Sequence, residues 1–218
     1  MTCLTTEDLK AFSPELPADA LRLPHTEAGM KVGLFGGSFN PPHEGHLLVA
    51  ETAMRRLKLD RLWWIVTPGN PLKHHGVLRP IGERVAASRS LARDPRIDVT
   101  AFEAAHQLRY TADTLALVRR RKPGVRFVWI MGADSLASFH RWQDWRRIAA
   151  TYPIAVVDRP GATLALLSSP MAKTFAPMRL AEENAAALPF CDAPAWVFLH
   201  GPRSPLSSSA LRAGGVAS

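Results

Sequence analysis

The stretch KVGLFGGSFNPPHEGH, residues 31–46, decides how this 218-residue chain is read. A short apolar run, Lys31 to Phe35, ends in Gly36-Gly37, the pattern of a buried strand opening into a tight turn. Helical periodicity follows at once. Leu47, Leu48, Ala50, Ala53, Met54 and Leu57 recur at spacings of one, three and four, which lays an apolar stripe along a helix from about Gly45 to Lys58.

Working outward, strand and helix patterns keep alternating. Leu62 to Thr67 reads as a strand, Ile81 to Ala92 as a helix and Ile97 to Ala101 as a strand. Thr111 to Arg121 is a helix closed by Pro123-Gly124, and Arg126 to Met131 is the next strand. Helical stretches at Ser135 to Phe139 and Trp142 to Ala150 follow, then a strand at Ile154 to Val157, a poorly patterned segment to Pro194, a strand at Trp196 to Leu199 and a short terminal helix. Parallel neighbours need crossover helices covering both faces, so this alternation predicts an α/β fold with a doubly wound, mostly parallel sheet in a single domain, residues 30–218. Residues 1–29, interrupted by Pro14, Pro17 and Pro24, read as a loosely attached arm of unassigned role. Ligands of such sheets sit beyond the carboxyl ends of the strands, where the strand order reverses.

Composition narrows the classes. With 47% apolar residues the chain can fill a core, and disorder over most of its length is excluded. Its two cysteines, Cys3 and Cys191, build neither a disulfide framework nor a four-cysteine zinc module, which fits a cytoplasmic setting. No apolar run reaches the roughly 18 residues of a membrane span, and the first 30 residues lack the pattern of a signal peptide. The net charge of +8 calls for an anionic partner without choosing among phosphorylated small molecules, nucleic acid and acidic lipid.

The turn at residues 36–46 is neither G-x-G-x-x-G nor the G-x-x-x-x-G-K-[ST] loop. It still suits phosphate, because two glycines let backbone approach an anion and His43 and His46 stand at the first turn of a helix whose free N–H groups attract negative charge. An architectural reading is also open, with the glycines making a turn and a histidine capping the helix. A metalloprotease reading fails, since its histidines stand four apart and these stand three apart. Ser207-Ser208-Ser209, followed by Arg212, forms a second cup of donors for a polyanion, or an ordinary serine cap on a surface helix.

Gly-Gly-Ser-Phe-Asn-Pro-Pro-His-Glu-Gly-His at 36–46 resembles the nucleotidylyltransferase family with its H-x-G-H motif, and Ser207 to Arg212 resembles that family's closing S-S-T-x-x-R motif, with Ser209 in place of threonine. Further stretches narrow the resemblance to the bacterial nicotinate-nucleotide adenylyltransferases: Thr67 to Lys73, Tyr110 to Leu115, Gly132 to Leu136 with Phe139, Trp142 and Trp145, and Asp158 to Gly161. It covers Met30 to Arg212, and residues 1–29 have no counterpart in it.

The resemblance implies a Rossmann-like cytoplasmic enzyme of NAD biosynthesis that joins ATP to nicotinate mononucleotide, with Mg²⁺ held through the substrate phosphates and no metal bound by the protein itself. His43, His46 and Arg212 would be catalytic, acting on the phosphates. Gly36, Gly37, Ser38, Phe39, Gly132, Asp134, Ser207, Ser208 and Ser209 would bind ATP or the departing pyrophosphate. Asn70, Lys73, Thr111, Trp142 and Gln143 would bind the nicotinate nucleotide. Against this, Trp142 and Trp145 also fit plain core contacts, and Asp134 and Thr111 fit helix caps. The rivals are a pantetheine-phosphate adenylyltransferase and, outside enzymes, a basic nucleic-acid-binding protein. The resemblance implies no nucleic-acid or membrane partner and leaves the assembly open, a homo-oligomer included.

Overall fold

The computed structural model describes residues 16–69, 78–158 and 169–201. Seven strands form one sheet in the order β3-β2-β1-β4-β5-β7-β6, with every pairing parallel. They are β1 (Lys31–Gly37), β2 (Arg61–Val66), β3 (Ile97–Thr100), β4 (Arg126–Gly132), β5 (Ile154–Val157), β6 (Arg179–Leu180) and β7 (Trp196–Leu199). Among the described residues the helices are α1 (Glu44–Arg56), α2 (Ile81–Leu91), α3 (Phe102–Ala105), α4 (Thr111–Arg121), α5 (Ala133–Phe139), α6 (Trp145–Thr151) and α7 (Pro170–Thr174).

Near-continuous apolar strands are what a sheet covered on both faces requires, and successive side chains divide between two cores. Phe35, Trp64, Val66, Ile130, Val157 and Leu199 pack with Ala50 and Ala53 of α1, its C-cap Leu57 and Val85 of α2. Their neighbours Leu34, Trp63, Ile65, Trp129, Val156 and Phe198 pack with Leu115 and Val118 of α4, Leu136 and Phe139 of α5 and Ile148 of α6. The doubly wound parallel sheet expected from the alternation is therefore the fold observed.

From β1 the chain steps outward to β2 and β3, then returns to place β4 against the free side of β1, with Phe35 opposite both Trp64 and Ile130. The strand order reverses between β1 and β4. Gly36 occupies β1 where a side chain has no room: a Cβ there would lie 2.8 Å from Cη2 of the buried Trp129 ring.

Four local expectations need correction. The two glycines complete β1 rather than follow it, because the strand runs to Gly37 and its pairing with β2 continues to Gly37 opposite Val66. The helix expected from Trp142 starts at Trp145, since Asp144 takes a left-handed conformation (φ 53°) that interrupts helical geometry. The segment before Pro194 holds α7, the two-residue edge strand β6 and a 3-10 stretch over Glu182–Phe190. Finally, the described part of the expected arm is not loosely attached. Leu16, Ala20 and Leu21 are buried in the α1-side core, and Ala20 O accepts from Ala101 N at 2.7 Å and from Thr100 Oγ1 at 3.0 Å. The expected terminal helix lies outside the described residues.

Because Leu21 is 1% exposed, Leu21→Ala removes core volume and should lower unfolding free energy by about 2 to 5 kcal/mol. Denaturant titration checks this, and a change within about 0.5 kcal/mol would return the segment to the status of a surface arm.

Candidate active site

The helices that follow β1 and β4 begin at the same edge of the sheet, at the carboxyl ends of the two strands that flank the reversal. Open sheets of this class bind ligands at that edge, and helix N-termini direct unpaired N–H groups into it.

His43 is the N-cap of α1, with extended backbone (φ −153°, ψ 167°). Its Nδ1 accepts from Gly45 N at 3.1 Å, while His46 Nδ1 accepts from His43 N at 3.3 Å, a reciprocal capping box built from two imidazoles. The ring centroids lie 3.8 Å apart. Each cap bond requires an unprotonated Nδ1, so the neutral rings carry their proton on Nε2, which makes that nitrogen a donor. The architectural and phosphate readings of the histidines are thus compatible: the cap holds the rings and sets which nitrogen donates.

Between β1 and α1, Phe39 adopts φ 45°, a left-handed conformation uncommon for a bulky residue. Its ring is 2% exposed and packs at 4.7 Å from Trp64, 5.0 Å from His46 and 5.4 Å from Phe35, centroid to centroid. A nucleotide at this turn would meet the backbone of Phe39 rather than its ring. Gly37 makes room for it, since a Cβ at that position would stand 3.0 Å from Phe39 Cζ.

Across the reversal, Gly132 is the N-cap of α5 and Asp134 is exposed in its first turn. Trp142 is half-buried, its ring 6.3 Å from Trp129 and 5.3 Å from Phe139, and Trp129 is the ring that underlies Gly36. Aromatic contacts therefore link the end of β1 to Trp142, while Gln143 is exposed beside it. Trp145 is 8% exposed and belongs to the core. Thr111 opens α4, half-buried, next to its exposed cap residue Tyr110. Asn70, Lys73, Ser207, Ser208, Ser209 and Arg212 lie outside the described residues.

Two polar groups near these positions went unnoticed in the sequence. Arg84 sits on the inner side of α2 and bonds the loops after β1 and β2; its place between Ile81 and Ser88 along the inward stripe is the signal it left. Glu103 of α3 is buried, with Thr114 Oγ1 2.6 Å from its carboxyl and 3.3 Å from Tyr110 O. Burial pushes the Glu103 pKa up to about 7, against the opposing pull of the Thr114 hydrogen bond. Thr114 Oγ1 donates to the Glu103 carboxyl, and the pair braces the start of α4 where Thr111 stands.

A separate cleft of about 390 Å³ between α4 and α6 is floored by Ala112, Leu115 and Ile148, and its lining contains no expected site residue. Arg119, Arg120 and Arg147 line it, and no histidine, cysteine or carboxylate does.

The cytidylyltransferase-like family matches residues 34–214. A protein of Mesorhizobium japonicum described as "Probable nicotinate-nucleotide adenylyltransferase" is 67% identical over 190 residues, covering 87% of this chain and 97% of its own length. Proteins of the same description from Rhizobium meliloti and Brucella abortus are 67% and 66% identical, each over 84% of this chain. Among solved structures, a Plasmodium falciparum nicotinic acid mononucleotide adenylyltransferase complexed with NaAD shares the fold, with a TM-score of 0.63 and 14% identity over 84% of this chain and 83% of that one.

A folded pKa near 7 against an ordinary value of 4.5 means that native Glu103 keeps a proton the unfolded chain has released, so stability falls as pH rises from 4.5 to 7 and levels above it. The full difference is worth roughly 3 kcal/mol. Glu103→Gln should flatten this fall, which urea titrations of both proteins at pH 5 and pH 8 would show. Parallel pH dependence in the two would contradict a neutral Glu103.

Proposed function

This chain belongs to the cytidylyltransferase-like family, alongside the nicotinate-nucleotide adenylyltransferases, and from that membership we propose the chemistry of its strand-end site. The protein is a nucleotidyltransferase that transfers the adenylyl group of ATP to nicotinate mononucleotide, giving nicotinate adenine dinucleotide and pyrophosphate in NAD biosynthesis. The observation that carries this reading is 67% identity across 97% of a relative's length, with the H-x-G-H turn seated where the strand order reverses.

In the reaction a phosphate oxygen of the mononucleotide attacks the α-phosphorus of ATP in line. The new P–O bond forms as the bond to the bridging oxygen of the β-phosphate breaks, and pyrophosphate carries that oxygen away. No protein nucleophile is needed, so the protein contributes alignment and charge stabilisation. The Nε2–H groups of His43 and His46, fixed by the cap, donate to phosphate oxygens as charge shifts toward the leaving group. Backbone at Gly36, Gly37, Ser38 and Phe39 lines the phosphate chain. Ser207, Ser208, Ser209 and Arg212 receive the pyrophosphate. Gly132 and Asp134 meet the adenosine ribose, whose vicinal hydroxyls suit a carboxylate acceptor. Asn70, Lys73, Thr111, Trp142 and Gln143 take the nicotinate nucleotide.

Among the described residues no group of three or more histidine, cysteine, aspartate or glutamate side chains could hold a metal ion. Mg²⁺ carried on the substrate phosphates would neutralise charge there. No described helix is long and apolar enough to cross a membrane, and a cytoplasmic location completes the proposal.

Pyrophosphate release from ATP with nicotinate mononucleotide, nicotinamide mononucleotide and phosphopantetheine in parallel tests the reading. The acid should be preferred over the amide by at least about tenfold in kcat/KM, because donors built for a carboxylate leave the amide N–H groups without partners. Equal use of acid and amide, or release with phosphopantetheine alone, overturns the substrate assignment. His46→Ala should lower kcat by about 10²- to 10³-fold, the usual cost of one lost transition-state donor. Near-normal turnover in that variant would leave His46 as a cap only.

A further inference from the structure

We propose that Arg84 is a positioning residue for adenylyl transfer, locking the turn after β1 to the loop after β2 so that the phosphates bound there are held in line. The proposal rests on the adenylyltransferase reading above.

Arg84 is 2% exposed. Its Nη1 donates to Ser38 O at 2.7 Å and to Thr67 O at 2.8 Å, its Nη2 to Pro68 O at 3.4 Å and its Nε to Arg79 O at 2.9 Å. Four carbonyl groups from three separate places in the chain therefore converge on one planar cation. A guanidinium presents donors along three directions in a fixed plane, which an ammonium on a flexible stem cannot copy.

The surrounding bonds have the same sense. Thr67 N donates to Gly37 O at 2.9 Å, and Arg79 N donates to the side chain of the buried Asn40 at 3.2 Å. Between these fixed points lies Phe39 with its left-handed backbone, a conformation that persists only when its surroundings over-determine it. Ser38 O, the acceptor of the shortest Arg84 bond, belongs to the residue immediately before Phe39. Arg84 thus fixes the turn at the carboxyl end of β1, the strand end at which sheets of this class bind ligands.

A burial this complete, with carbonyl acceptors at every bond, also places a positive charge under a site for polyanions. Geometry and charge make separate contributions. Ground-state binding of ATP draws on many dispersed contacts and survives a small shift of the turn, whereas in-line attack tolerates little misplacement.

The test compares Arg84→Lys and Arg84→Met with wild type in pyrophosphate release at saturating mononucleotide, with folding checked by circular dichroism and thermal melting. Arg84→Lys keeps the charge and loses the fan of bonds, so kcat should fall at least about tenfold while the KM for ATP stays within about threefold. Arg84→Met loses both, so its KM for ATP should rise as well. A Lys variant that turns over at the wild-type rate overturns the proposal. So does one whose KM rises in step with the loss of kcat, or one that fails to fold and so assigns Arg84 to folding alone. Absence of activity in wild type with every mononucleotide would instead sink the adenylyltransferase reading itself.

Discussion

β1 is hydrogen-bonded in parallel to β2 on one side and to β4 on the other, so the helices following β1 and β4 leave from the same edge of the sheet. They also cover opposite faces: α1 packs into the core with Phe35, Trp64 and Ile130, and α5 into the core with Leu34, Trp63 and Trp129. Two helix N-termini consequently flank one crevice, a geometry that follows from backbone pairing before any side chain is considered. The glycines of β1 keep this junction close, because Gly36 lies directly on Trp129 and Gly37 on Phe39.

On that frame the site is built by packing as much as by polar contacts. The Phe39 ring wedges between Phe35, Trp64 and His46, which orients the second histidine while the reciprocal cap orients both. Arg84 holds the same turn from below, and the Glu103–Thr114 pair braces the start of α4. Transfer of an adenylyl group requires little of a protein beyond alignment and stabilisation of charge, and rigid support of a short turn is a direct way to supply both.

Much of this was legible in the residues. The bounds of α4, β5 and β7 coincide with those read from the sequence, because β5 and β7 are short unbroken apolar runs and α4 is amphipathic and closed by Pro123-Gly124. The cap at His43 and His46 was legible because its partners lie within three positions. β6 was not, since two residues carry no period and its place comes only from pairing with β7. The packing of Leu16, Ala20 and Leu21 was hidden behind prolines that read as breaks. Arg84 was missed for a related reason: its acceptor Ser38 lies 46 positions away, and nothing along the chain marks an inward-pointing cation as satisfied. The start of the helix at Trp145 turned on a single left-handed residue, Asp144, which hydrophobic periodicity does not register.

A crystal structure with nicotinate adenine dinucleotide bound at micromolar concentration would show whether the strand-end turn is where the phosphates sit. The product's phosphates should lie beyond the carboxyl ends of β1 and β4, at the first turn of α1, with Nε2 of His43 or His46 about 3 Å from a phosphate oxygen. Dinucleotide seated in the cleft between α4 and α6, or with its phosphates beyond reach of both histidines, would contradict it.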